Sequence, residues 1–160
     1  MAYLDHCIGH FIERLRKTPQ WQNTLIVFLP DHGIAYRDCT NDEDERKSHI
    51  PLILTGGAVT QPQRIDVICN QSDLAATLLG QLDVSHKEFR LSRDVLSTTY
   101  THPSATHTWQ EGTYYLDASG FSAVNLLTKP VSTLREAPQT SLQRQNAAKA
   151  LLQTAYEHLK

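Results

Sequence analysis

Several features that would restrict the function are missing from this 160-residue chain. Its three cysteines, Cys7, Cys39 and Cys69, are too few and too scattered for a disulfide framework, and no CxxC spacing occurs. No stretch approaches the ~20 apolar residues that a transmembrane helix needs. No basic-then-apolar signal peptide opens the chain, and we find no repeats or low-complexity tracts. Because the cysteines indicate neither a disulfide framework nor a metal site, they do not identify the cellular compartment.

A basic surface is also missing. The formal net charge is -2, and no Lys/Arg cluster or interleaving of aromatic and basic residues occurs. Nucleic-acid-binding proteins need such a patch to meet the phosphate backbone, so we expect no nucleic-acid partner. The composition is that of a soluble globular protein, and the length suits one domain with a sizeable core.

The most informative residues are Asp31, His32 and Gly33, which follow the apolar run Leu25–Leu29. An unbroken apolar run predicts a strand buried on both faces, as in parallel sheets. Ligands of such sheets bind beyond the carboxyl ends of the strands. An Asp and a His at that point supply half of a usual ligand set for Zn²⁺ or Mn²⁺. A solvated histidine at a strand-to-loop turn is the alternative for so short a pattern.

The remaining patterns predict a mixture of helices and strands. Apolar residues at helical spacing predict a helix from Leu4 to Leu15 and a C-terminal helix from Ser141 onward. His49–Leu54 predicts a second buried strand, and Asn70 or Ser72 can cap a further helix. Turn residues between two alternating segments predict a hairpin around Asp117–Gly120. Two polar segments are predicted as loops, one around Asp42 and one that contains His102, Pro103, His107 and Trp109. Arg46 and Lys47 would balance the negative charge of the acidic residues in the loop around Asp42.

Six segments, in this order and at these separations, resemble the later part of a sulfatase-type catalytic domain of the alkaline phosphatase superfamily. The likeness is greatest to the lipoteichoic acid synthase and phosphoethanolamine transferase branch. It covers the first three-fifths of the chain and fades beyond Tyr100. Pro30 departs from the family pattern, which has a small residue before the aspartate. The matching segments are Leu4–Leu15, Trp21–Val27, Asp31–Gly33, His49–Leu54, Gln71–Leu79 and Ser92–Leu96.

The resemblance implies an α/β fold with a partial alkaline-phosphatase-like sheet, flanking helices and a small C-terminal antiparallel unit. Residues 1–100 would be the C-terminal portion of the catalytic domain, and residues 101–160 its hairpin and helix subdomain. Asp31 and His32 would be metal ligands, for Mn²⁺ or Zn²⁺, or for Mg²⁺ or Ca²⁺ in a true sulfatase. His49 would face the phosphate of the substrate or ligate a second metal, although a histidine hydrogen-bonded at a strand entrance fits the residues nearly as well.

The family's nucleophile has no counterpart in this chain, so the resemblance also implies a C-terminal piece of a longer enzyme, inactive by itself. Its partners would be the missing N-terminal part and an anionic substrate, either phospholipid-derived or sulfated. Three functions stay open: phosphoglycerol or phosphoethanolamine transfer in the bacterial cell envelope, hydrolysis of sulfate esters or phosphodiesters, and non-catalytic binding. The first implies an inner-membrane protein with its catalytic domain in the periplasm or outside the cell.

Overall fold

The computed structural model describes residues 2–34, 39, 44–127 and 138–159, with side chains from residue 141 onward in the last range. They form two compact units. The first lies within Met1–Ile34 and Ser48–Ile65, and the second within Ala35–Lys47 and Asp66–Lys160. Each combines helices with a small antiparallel sheet, which confirms the α/β class. Within the described ranges, no helix is both long and apolar enough to cross a membrane.

The first unit begins with helix α1 (Ala2–Leu15), which confirms the predicted helix. Asp5 in the first turn and Arg14 in the last turn complement the helix dipole. The helix ends before Pro19, which opens the 3₁₀ helix Pro19–Asn23. None of the described residues of α1 is buried, and Leu4 and Phe11 on its apolar side are more than half exposed.

Strands β1 (Ile26–Phe28) and β2 (Ile53–Thr55) are neighbours, as predicted, but they pair antiparallel with Val27 opposite Leu54. The prediction of a parallel sheet buried on both faces was wrong, since β1 is only half-buried and Ile53 is 55% exposed. A parallel pair needs a crossover, usually a helix, that returns the chain to the start of the first strand. The described part of this connection holds only the 3₁₀ helix Glu45–Ser48, and β2 starts beside the end of β1.

The chain leaves β2 through a tight turn at Gly56. Its φ of +114° is a conformation that residues with a Cβ rarely adopt, and a Cβ there would collide with the carbonyl oxygen of Thr24. The close approach also allows Ala58 to donate a backbone hydrogen bond of 3.2 Å to the same carbonyl. Gly56 therefore holds the end of β2 against the segment that leads into β1.

The second unit starts with the 3₁₀ helix Gln71–Asp73, which continues into helix α2 (Leu74–Gln81). Asn70 is the capping residue, one of the two that the sequence allowed, and Asp73 accepts its backbone N–H at 2.9 Å. The buried face of α2 is formed by small side chains. Ala76 and Thr77 are buried, whereas Leu82 lies beyond the helix and is 69% exposed.

A three-stranded antiparallel sheet follows, in the order β3 (Ser104–Trp109), β4 (Gly112–Asp117) and β5 (Gly120–Asn125). The predicted hairpin is confirmed, because Asp117 lies opposite Gly120 across the two-residue turn Ala118–Ser119. The loop predicted around His107 and Trp109 was wrong, since these residues belong to β3. Thr106, Thr108 and Trp109 are residue types that favour strands, and pairing with β4 over six residues satisfies the backbone of the segment.

Helix α3 (Pro138–His158) confirms the predicted C-terminal helix and packs on β4 and β5. The aromatic core, in which the rings of Tyr114 and Phe121 lie 4.9 Å apart beside Ala123, is on the opposite face of the sheet. Arg144 of α3 is 2% exposed, and its guanidinium donates to Ser122 at 3.1 Å and to the hydroxyl of Ser119. The helix is thus held to the hairpin by buried polar contacts as well as by apolar packing.

The outer edge of β3 is covered by a side chain. The amide of Asn70 accepts a hydrogen bond from the backbone N–H of Thr106 at 2.7 Å and donates one to the carbonyl of Thr106 at 3.1 Å. One asparagine side chain therefore makes the two hydrogen bonds that a neighbouring strand would make to this residue.

Candidate active site

Asp31 and His32 lie side by side immediately after β1, where the sequence placed them. Their side chains are exposed, at 90% for Asp31 and 80% for His32. The Nε2 atom of His32 lies 3.7 Å from Oδ1 of Asp31. The backbone N–H of His32 also donates to this Oδ1 at 3.1 Å, which orients the carboxylate toward the histidine. The predicted position of the pair after a strand is confirmed, and its role as a metal site stays a prediction.

The hydrogen bonds of His32 decide which ring nitrogen is available to a ligand. Its Nδ1 lies 2.6 Å from the carbonyl oxygen of Gly33. A carbonyl oxygen can only accept, so Nδ1 carries a proton, and in the neutral imidazole Nε2 then keeps its lone pair. Metal-ligating histidines are commonly oriented by such a bond from the other ring nitrogen. The neutral form of His32 therefore has the tautomer that a metal ligand requires, with Nε2 on the side of Asp31.

The donor set fits part of a divalent-metal site. An ion bound at about 2.0–2.2 Å to a carboxylate oxygen and an imidazole nitrogen can span a separation of 3.7 Å. In the ranges that the structure describes, no group of three His, Cys, Asp or Glu side chains could hold a metal ion. A complete site needs at least about three protein ligands. Asp31 and His32 thus fit as two members of a larger set.

His49 stands just before β2 and is exposed. The antiparallel register pairs Phe28 with Ile53, so β1 ends and β2 begins at the same end of the sheet. His49 and the Asp31–His32 pair therefore leave the two strands at one end, which a parallel arrangement would have prevented. The role of His49 stays a prediction.

Arg46 in the polar loop forms an ion pair with its neighbour Asp44. Its guanidinium donates to Asp44 from Nε at 3.0 Å and from a terminal nitrogen at 2.6 Å. These hydrogen bonds hold the pKa of Asp44 well below its usual range. The geometry favours the prediction that Arg46 balances the acidic loop over a direct role in binding an anionic head group.

The most extensive ionic contact of the second unit joins two of the segments on which the family resemblance rests. Asp73 is 1% exposed, and its carboxylate accepts two hydrogen bonds from the Arg93 guanidinium, at 2.7 and 3.0 Å. It also accepts the backbone N–H groups of Asn70 and Arg93. Arg93 donates further to the side chain and backbone of Ser104. These two motif segments therefore hold the fold together, a role that spacing in the sequence did not reveal.

Comparison with known proteins identifies the family. The model of the sulfatase family matches residues 1–84, more than half of the chain. The lipoteichoic acid synthase-like protein YvgJ of Bacillus subtilis (strain 168) is 27% identical over 113 residues, which cover 61% of this chain and 18% of the relative. Arylsulfatase K of Gallus gallus is 28% identical over 82 residues, which cover 49% of this chain and 15% of the relative.

A solved structure agrees with these matches. A protein of the alkaline phosphatase superfamily from Vibrio parahaemolyticus superposes with a TM-score of 0.75 at 21% identity, over 98% of this chain and 40% of that chain. This likeness shows the fold. The chain spans less than a fifth of the length of either curated relative. With more than half of its residues matched by the family model, the chain belongs to the sulfatase family.

Proposed function

We propose that this chain carries part of the active site of a metal-dependent enzyme that transfers phosphoglycerol or phosphoethanolamine from a lipid to an acceptor in the bacterial cell envelope. The observation that carries the proposal is the Asp31–His32 pair, with Nδ1 of His32 bonded to the Gly33 carbonyl and Nε2 3.7 Å from the carboxylate. It lies within the residues that the sulfatase model matches, and the match to YvgJ supports the transferase branch.

The residues have distinct roles in this proposal. Asp31 supplies an anionic oxygen and His32 a neutral nitrogen to Mn²⁺ or Zn²⁺. The bound metal would lower the pKa of the nucleophile and offset charge on the phosphoryl oxygens. His49, at the same end of the sheet, would donate a hydrogen bond to a substrate oxygen as charge develops there. The nucleophile would come from a part of the enzyme outside this chain.

A hydrolase of the same family is the second candidate, supported by the match to arylsulfatase K. It would cleave sulfate esters or phosphodiesters, and a true sulfatase would use Mg²⁺ or Ca²⁺. The two candidates share Asp31 and His32 and differ in the nucleophile. A threonine is expected for the transferases, and a cysteine or serine for the sulfatases.

The proposal extends to partners and location. The substrate would be an anionic phospholipid in the transferase and a sulfated or phosphorylated molecule in the hydrolase. The rest of the catalytic domain would complete the metal site. The transferase would be held in the bacterial inner membrane by a segment outside this chain, with the catalytic domain on the outer side.

The test compares variants of an enzyme that carries the complete domain. Asp31→Ala and His32→Ala should each abolish release of nitrophenol from bis-p-nitrophenyl phosphate or p-nitrophenyl sulfate in the presence of Mn²⁺ or Zn²⁺. They should also lower the bound metal measured by elemental analysis. His49→Ala should reduce kcat less severely, by about 10²-fold, while the metal stays bound. His158→Ala, which removes an exposed histidine from α3, is the matched control.

The 160-residue chain alone should show no turnover, because it holds no nucleophile and only two of the metal ligands. Metal-dependent turnover by the purified chain, or full metal content in Asp31→Ala and His32→Ala, would overturn the assignment. The ratio of phosphodiester to sulfate-ester cleavage distinguishes the two candidates.

A further inference from the structure

The second unit contains a cavity of about 630 Å³ that the proposed reaction does not use. It lies between α3 and the segment that leads from Arg93 into β3, with Tyr115 of β4 on its wall. The volume falls in the range of roughly 300–1,000 Å³ that is usual for small-molecule sites. We propose that this cavity binds a neutral sugar, of the size of a disaccharide.

The cavity has an apolar side and two aromatic rings. Ala147, Ala150 and Leu151 of α3 form the apolar side, and Tyr100 and Tyr115 contribute the rings. A sugar ring has one face of C–H groups and a rim of hydroxyls. Side chains with an apolar body and a polar tip, such as tyrosine, match both parts.

The polar groups on the wall have hydrogen-bonding capacity to spare. Within the described residues, no hydrogen bond engages the hydroxyl of Tyr115 or the ring of His86, both of which line the cavity. His102 uses Nδ1 to bond the hydroxyl of Thr101 at 2.9 Å, which leaves Nε2 for a ligand. Asp94 is not counted among these groups, because its Oδ1 accepts the backbone N–H of Leu96 at 3.0 Å and its Oδ2 packs against Gly80. Donors and acceptors are thus both available, as a polyol requires.

The charges on the wall argue against an ionic ligand. The guanidinium of Arg93 already binds Asp73 and Ser104, so it offers little to an anion, and the Asp94 carboxylate repels one. A cation is disfavoured as well, because both Asp94 oxygens face the protein and the Arg93 guanidinium already occupies the face of Tyr100, 5.0 Å from the ring centre. A ligand without charge avoids both penalties.

The test is a titration of the 160-residue chain, followed by ¹H–¹⁵N NMR, with four probes. Maltose and glucose are neutral, glucose 6-phosphate is anionic, and glucosamine is cationic at pH 6.5. Maltose should cause saturable shifts of amides in residues 94–102 and 147–154, with a Kd on the order of 1 mM. Glucose should bind more weakly than maltose, and the two charged sugars at least about five-fold more weakly than glucose.

Three variants connect the binding to the wall. Tyr115→Phe keeps the ring and should weaken maltose binding roughly three- to ten-fold by loss of one hydrogen bond. His102→Ala changes an exposed side chain, which protects the fold, and should weaken binding similarly. Asp94→Asn should bring the affinity for glucose 6-phosphate up to that for glucose. Tyr156→Phe, at an exposed tyrosine of α3 that does not line the cavity, should bind as the wild-type chain does.

The outcomes separate the alternatives. No saturable shift at about 50 mM maltose would overturn the proposal, since this is far above the expected affinity. Tighter binding of glucose 6-phosphate or of glucosamine than of glucose would overturn it in favour of an anion or a cation site. Unchanged binding in both Tyr115→Phe and His102→Ala would show that the sugar binds elsewhere. None of these results depends on the metal site.

Discussion

The contact between Asp73 and Arg93 gives the sharpest prediction about stability. Asp73→Asn keeps the size of the side chain but replaces one carboxylate oxygen with an NH₂ group. In the wild-type chain, the two oxygens accept four hydrogen bonds, two from the Arg93 guanidinium and two from backbone N–H groups. In the variant, the new NH₂ group must face donors, so up to two of these hydrogen bonds are lost and the arginine loses its counter-charge.

The magnitude follows from burial on the two sides of the pair. Asp73 is 1% exposed, and breaking a buried pair by removing one partner costs about 3–5 kcal/mol. The Arg93 side chain is 38% exposed and keeps its bonds to Ser104, so water and Ser104 compensate part of its lost partner. We therefore expect a loss of about 3 kcal/mol in the free energy of unfolding of the second unit.

Urea denaturation followed by circular dichroism measures the loss, and native-state hydrogen exchange of the Thr106 amide assigns it to the second unit. Glu88→Gln is the matched control, because it also removes one negative charge, from an exposed side chain of the same unit. A loss below about 1 kcal/mol, or one no larger than in the control, would refute the reasoning. The pair would then contribute no more than an exposed ion pair.

Two further predictions concern single positions. Burial acts to raise the pKa of Asp117, but hydrogen bonds from Ser119 and the nearby Arg144 outweigh it, so the pKa lies below its ordinary value of 3.8. The resulting stabilisation is present above the unfolded pKa and is lost as the pH falls through the folded pKa. The difference in urea midpoint between the wild-type and Asp117→Asn chains should therefore stay constant down to about pH 5 and shrink below pH 3.8. A difference that grows with acidity would contradict this prediction. Gly56→Ala should lower the free energy of unfolding by about 2 kcal/mol, because alanine has to adopt a positive φ against the Thr24 carbonyl. Gly9→Ala in α1 places its methyl where no atom is near, so it should leave the free energy of unfolding unchanged or raise it by up to about 1 kcal/mol. Equal urea midpoints for these two variants would contradict the second prediction.

The features that the sequence predicted correctly are set by neighbouring residues. The apolar stripe of α1, the capping residue Asn70 and the turn after Asp117 each depend on a few adjacent positions. The position of Asp31 and His32 after a strand follows in the same way. The family resemblance added the expected role of this pair, which local patterns alone did not distinguish from a solvated turn.

The features that the sequence did not predict are set by distant residues. The direction in which β2 pairs with β1 depends on the route of the intervening chain, which an apolar run does not encode. The six residues of β3 include two threonines and a tryptophan, which favour strands, but their pairing with β4 was visible only in the structure. The burial of Arg144 depends on Ser119 and Ser122, more than twenty residues earlier in the chain. For the same reason, the link between Asp73 and Arg93 was visible only in the structure.

The asparagine side chain at the edge of the three-stranded sheet has a consequence for solubility. An uncovered edge strand presents N–H and C=O groups that can pair with a strand from another molecule and start aggregation. Asn70 occupies the N–H and C=O of Thr106 with its own amide. Because this residue also caps the helix that begins at Gln71, the amide is held in place by the fold. A single residue thus blocks intermolecular pairing at Thr106, near the middle of the β3 edge, without an additional strand.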